Sequence, residues 1–142
     1  MDPFHERLAR VALDVAASYG FALAGGYAVQ AHGFLDRPIA IGPVLHADDA
    51  VANKVCALFG RAEVRDYVDV AAILASGRYS EEDLVRLAEE HDPGFDPSWF
   101  AEALNAVDRL PDALFAPYGL DPQDVSALKA QMHAWAEKIS RD

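Results

Sequence analysis

Apolar residues recur at spacings of three and four through most of the chain, the period of helices that bury one face. The first such stretch, Pro3 to Tyr19, sets Phe4, Leu8, Val11 and Val15 on one side, with Asp2 as N-cap, Pro3 at the first helical position and Gly20 as its stop. Phe21 to Ala24 is too short for an independent helix and reads as a buried strand. It runs into Gly25-Gly26 and a short helix from Tyr27 to Gly33. Pro38 closes this unit, and Ile39 to Leu45, interrupted by Gly42-Pro43, reads as an edge strand or a connector.

From there the pattern is helical throughout. Asp48 or Asp49 can cap a helix from Ala50 to Phe59, with Gly60 ending it. Arg65 to Ser76 repeats apolar positions at Val68, Ala72 and Ile73 before Gly77 breaks the pattern. Ser80-Glu81-Glu82-Asp83 opens the next helix, its acids in the first turn where the helix dipole favours them. Pro93-Gly94 separates it from a helix at Pro97 to Asp108, Pro111 opens a shorter one, and Asp121-Pro122 starts the last, which runs to Ser140. Trp99, Phe100, Leu104, Phe115, Tyr118, Leu128, Met132 and Trp135 fall at helical spacings and read as helical core.

Length and charge narrow the function classes. At 142 residues one domain is expected, divided into an N-terminal part, 1–45, and a helical part, 46–142. Alanine fills 27 positions, which suits closely packed helices. The net charge of −11 is uneven: residues 1–45 carry four acids and three bases, 46–142 carry nineteen and nine. Such a balance does not support general binding to nucleic-acid phosphate. A single cysteine, Cys56, cannot form an internal disulfide and reads as a small hydrophobe. A cytoplasmic location is the expectation, and no apolar run approaches the roughly 18 residues of a membrane span. His5, His46, His91 and His133 show no metal-ligand spacing, so no metal site is assigned to them.

Two strings carry candidate chemistry. In the first, a strand enters Gly25-Gly26 at a helix start, where backbone N–H groups approach an anion without Cβ interference; a tight turn explains the same pair. In the second, Lys54 and Arg61 lie two helical turns apart and project from one face, while Asp66 and Asp69 share a face of the next helix. Together these four can form a cationic and carboxylate pocket. The plainer reading is a set of solvated charges with an Arg65–Asp69 pair at i,i+4.

In this order the two strings resemble the AbiEii family of nucleotidyltransferase-like proteins, toxins of type IV toxin–antitoxin systems. The resemblance rests on Leu23-Ala24-Gly25-Gly26 with its alanine-rich helix and His32, and on the Lys54 helix followed by Arg65-Asp66-Tyr67-Val68-Asp69. It implies a nucleotidyltransferase fold, a small mixed sheet backed by helices, using a nucleoside triphosphate and Mg²⁺. It also implies Gly25, Gly26, Lys54 and Arg61 as nucleotide-binding residues, Asp66 and Asp69 as catalytic ones, and a cognate antitoxin as partner.

One departure bears on mechanism. The family follows the glycine helix with a strand bearing an Asp-x-Asp pair that holds divalent metal. Here Phe34-Leu35-Asp36-Arg37-Pro38 passes directly to Ile39, and Asp36 stands alone. The expectation is therefore an α+β, mostly α protein, the remnant of a nucleotidyltransferase fold with a small sheet and a C-terminal helical region, impaired in catalysis. Strand pairing between two copies would compensate for the lost strands, so a homo-oligomer is expected. The alternative is a noncatalytic acidic helical module that binds a protein partner.

Overall fold

In the computed structural model residues 46–141 are described. The strand at Phe21 to Ala24, the glycine pair and both N-terminal helices fall outside that range. Five α-helices follow one another: α1 (Ala47–Arg61), α2 (Val64–Ala75), α3 (Glu81–His91), α4 (Pro97–Asn105) and α5 (Pro122–Ile139). Between α4 and α5 lie two 3₁₀ segments, Ala106–Arg109 and Asp112–Tyr118. Among the described residues there is no strand, so the mostly helical expectation holds there while the small sheet is not seen.

Each helix start follows from local chemistry. The Ser80 hydroxyl accepts from the Asp83 N–H at 3.1 Å and the Asp83 carboxylate from the Ser80 N–H at 3.0 Å, a reciprocal cap. Asp96 accepts from the N–H groups of Ser98 and Trp99 at 2.8 and 3.1 Å, with Pro97 at the first helical position. Asp121 and Asp124 repeat the reciprocal arrangement at the start of α5. For α1 the cap is His46, whose Nδ1 accepts from the Asp48 N–H at 3.3 Å, so Asp48 and Asp49 occupy the first turn rather than the cap.

α1 lies at the centre, packed on α2, α3 and α4, while α5 packs on α4. Its buried stripe, Val51, Val55 and Leu58, meets Tyr67, Val70 and Ile73 of α2 and Leu84, Leu87 and Ala88 of α3 within one core. A chain of rings, Phe59, Phe95, Phe100 and Trp135, crosses from α1 to α5 with successive centroids 4.9, 5.2 and 5.1 Å apart. The Tyr67 hydroxyl donates to the Ala103 carbonyl at 2.6 Å and ties α2 to α4.

Two residues expected in the core lie outside it: Trp99 is 71% exposed and Tyr118 47%. Phe100, Ala101 and Leu104 supply the buried face of α4, which turns Trp99 toward solvent. In the second 3₁₀ segment Phe115 fills the core position, and Tyr118 stands at the exposed end before Gly119.

α1 also departs from its expected stop. The helix continues through Gly60 to Arg61, and Ala62 takes the left-handed conformation at φ 50°, its N–H bonded to the Leu58 carbonyl at 3.1 Å. Glycine thus stands where alanine is better, and alanine where glycine is better. A Cβ added at Gly60 meets no atom within 4 Å. Gly60→Ala and Ala62→Gly should each stabilise the fold by about 1 kcal/mol in urea denaturation, since a mid-helix glycine and a left-handed alanine each cost about that much. A loss of stability from either would contradict this reading of the helix end.

Candidate functional site

The seam between α1 and α2 gathers the charged residues of the second string. Lys54, facing inward one position before Val55, is buried, and its Nζ lies 2.5 Å from Asp69 Oδ2. Two turns further along the same face, Arg61 donates from Nε to Asp66 Oδ2 at 2.9 Å and from Nη2 to Oδ1 at 2.7 Å. This is the two-pronged fit that makes arginine–carboxylate pairs both strong and directional. The spacing therefore places Lys54 and Arg61 on one face of α1, and Asp66 and Asp69 on one face of α2, as expected.

Asp66 holds three donors. Besides Arg61, it accepts the Glu63 N–H at 3.1 Å, which otherwise would lack a partner at the helix start. Its side chain is fully buried while that of Arg61 remains 43% exposed, so the guanidinium covers the carboxylate and keeps a solvated edge. Arg65 does not pair with Asp69; it turns to Glu63, Nε to Oε2 at 3.0 Å, because Lys54 already occupies the Asp69 carboxylate from the buried side. Glu63 is a residue that periodicity did not single out, although its spacing of three from Asp66 is the signature of a helix-start box.

Burial pushes the Asp69 carboxyl above its ordinary range, against the hydrogen bond and charge of Lys54, and nearby Asp66 adds to the rise. A raised carboxyl pKa means that folding weakens the carboxylate's hold on its charge relative to the unfolded chain, even with Lys54 beside it. The associated stability is full below the ordinary value of about 3.9 and is lost as pH rises through the higher native value. The Arg61 guanidinium is held more firmly protonated, chiefly by its bonds to Asp66.

Two open clefts meet at the end of α1. Both are lined by Arg61 and Ala62: one, of about 650 Å³, includes Trp99 and Arg109, and the other, of about 680 Å³, includes Arg65 and Tyr118. Arg61 has five N–H donors and spends two on Asp66, with the Glu63 carboxylate 3.6 Å from its Nε; its remaining Nη donors border the clefts. Lys54, by contrast, is enclosed and committed to Asp69. Arg109 was not singled out from sequence, and Trp99 was read there as core rather than as the lining of an open cleft.

The donor set does not suit a divalent cation at this seam. Both Asp66 oxygens are engaged by N–H donors, and Asp69 faces an ammonium. Among the described residues no group of three His, Cys, Asp or Glu side chains is placed to hold a metal ion. His133 bridges Asn105 and Asp108 at 2.8 and 3.0 Å, and His46 caps α1. Cys56 is half-buried and its thiol is pushed up to about 11 by burial and by Asp92, which makes it a poor nucleophile. No described helix is long and apolar enough to cross a membrane. Gly25 and Gly26 lie outside the described residues.

The geometry distinguishes the two arginines. Arg61→Met strands a buried carboxylate and should destabilise the fold by about 3 kcal/mol, whereas Arg65→Met, which breaks an exposed pair, should change stability by no more than about 0.5 kcal/mol. Equal losses in denaturant titrations of the two variants would contradict the assignment.

Comparisons with known proteins place this segment in context. A protein-family model described as Nucleotidyl transferase AbiEii toxin, Type IV TA system, matches residues 30–141, which include all four charged residues of the seam. Neither the search of curated proteins nor that of solved structures gave a match.

Proposed function

This chain belongs to the AbiEii family of nucleotidyl transferase toxins of type IV toxin–antitoxin systems, and from that membership we propose that it binds a nucleoside triphosphate but transfers nucleotide poorly or not at all by itself. The observation that carries the proposal is the meeting of Lys54, Arg61, Asp66 and Asp69 at one helix seam, where Arg61, the more open of the two cations of that set, borders two clefts. Arg61 is assigned to the nucleotide phosphates, with Gly25 and Gly26 as a backbone cradle and Lys54 as a second positive charge behind the seam.

Asp66 and Asp69 are assigned as positioning residues, Asp66 for Arg61 and Asp69 for Lys54. A proton-transfer role is the further assignment we make for this pair of carboxylates. When bound, Mg²⁺ would neutralise the triphosphate, and the described carboxylates do not fit it. Transfer relies on positioning and charge neutralisation for accelerations of about 10⁶ or more. Without an Asp-x-Asp pair in its sequence, the chain has no evident source of that charge.

We further assign residues 1–45 as a shortened nucleotidyltransferase core and 46–142 as its helical region, within one domain. An antitoxin encoded beside it is the partner that the family description supports.

Calorimetry of the full chain with each nucleoside triphosphate at millimolar concentration and Mg²⁺ tests the binding proposal. Saturable heat is expected with at least one of the four, and Arg61→Lys, which keeps the charge but loses the fork, should weaken it about tenfold. Absence of heat with all four, or unchanged affinity in the folded variant, would overturn it.

A further inference from the structure

On the side of the fold formed by α3, α4 and α5, away from the α1–α2 seam, runs a groove of about 480 Å³. Its floor is apolar, formed by Val85 of α3, Pro97 of α4, and Trp135 and Ile139 of α5. The groove is within the size range of ligand-binding clefts.

Trp135 gives the first sign of what it takes. The residue is only 1% exposed, yet its indole N–H makes no hydrogen bond among the described residues. No buried side-chain nitrogen or oxygen is without a partner among the described residues, and Trp135 is one of the residues that line the groove. The indole of a tryptophan that lines a groove can donate to an acceptor that enters it, such as a peptide carbonyl.

The rim gives the second sign. Glu81, Glu82, Glu89 and Asp96 face two cations, Arg86 and Lys138. Lys138 is consumed by Glu81 at 3.3 Å and by Glu82. Arg86 also lines the groove and is paired with Asp83 at 3.5 Å and Glu90 at 3.1 Å. Glu89 and Asp96 are left on the rim with no ion pair among the described residues, on a chain whose net charge is −11. An anionic occupant is disfavoured, and a cationic one is attracted.

We propose that this groove docks a basic amphipathic segment of a partner protein. Its apolar side chains would cover Val85, Trp135 and Ile139, its Lys or Arg side chains would meet Glu89 and Asp96, and a carbonyl would accept from the Trp135 indole. This is recognition of a helix face by a groove, with charge setting the preference. It is independent of nucleotide binding at Arg61.

The test uses the full chain carrying Trp99→Phe, which leaves Trp135 as the sole tryptophan, and follows its indole N–H resonance by NMR. The probe is a synthetic Leu/Lys amphipathic peptide of about 18 residues, five helical turns; a Leu/Glu peptide of the same pattern is the control. The Leu/Lys peptide should shift the indole resonance saturably, and the Leu/Glu peptide should not. Glu89→Lys should weaken binding about tenfold, while Glu102→Lys, an equal charge change on exposed α4 surface outside the groove, should leave it within about twofold. An unmoved indole resonance at millimolar peptide would overturn the proposal. So would equal weakening by both charge reversals, the mark of nonspecific attraction to an acidic protein.

Discussion

Burying two carboxylates on one face of α2 is the constraint around which this helical bundle is arranged. Asp66 is fully buried and Asp69 nearly so, and neither is tolerable there as an uncompensated charge. Each is met by a cation from α1: Lys54 from within the core and Arg61 from its edge. The pairs lie two helical turns apart on α1, so together they fix both the axial register and the rotation of α2 against the central helix. Apolar packing of Val51, Val55 and Leu58 on Tyr67, Val70 and Ile73 supplies area but is far less particular about alignment. The extension of α1 through Gly60 also follows, because Arg61 must stay helical to reach Asp66.

The same constraint shapes the chemistry. A carboxylate held by an ammonium or a guanidinium is not free to ligate a divalent cation, which separates this seam from a metal-dependent transfer centre. What it leaves available is cationic: the solvated edge of Arg61 between two clefts. Trp99 and Arg109 on one side, and Tyr118 and Arg65 on the other, give that edge planar and charged neighbours. In the function proposed above, the seam meets an anion there and the helices behind it hold the arginine still. The acidic groove over Trp135 stands apart, on elements that the seam does not touch through charge.

Much of this was legible in sequence. Helix existence followed from apolar period and from start signals such as Ser80 and Asp121, because those signals are local. The shared faces of Lys54 with Arg61 and of Asp66 with Asp69 followed from helical geometry alone. Partner choice did not: an i,i+4 count pairs Arg65 with Asp69, and only the approach of α1 shows that Lys54 takes that carboxylate. The stop of α1 was misplaced because glycine marks a helix end only when its conformation is used, and here Ala62 takes the left-handed turn. Trp99 and Tyr118 were assigned to the core from helical spacing, which does not show which of two adjacent apolar residues, Trp99 or Phe100, faces inward, nor that Tyr118 stands at the exposed end of a 3₁₀ segment. The glycine cradle, expected at Gly25 and Gly26, lies outside the described residues, so the seam is the part of the candidate site on which structure bears.

The direct test of the central claim is a double-mutant stability cycle between Lys54 and Asp69, using Lys54→Met, Asp69→Leu and the pair together. If the seam is governed by mutual compensation of buried charge, each single change strands its partner and costs about 3 kcal/mol or more, while the double change recovers most of the loss. Single losses that simply add, to within about 0.5 kcal/mol, would show that the two charges are independent and that the register of α2 on α1 is set by packing alone.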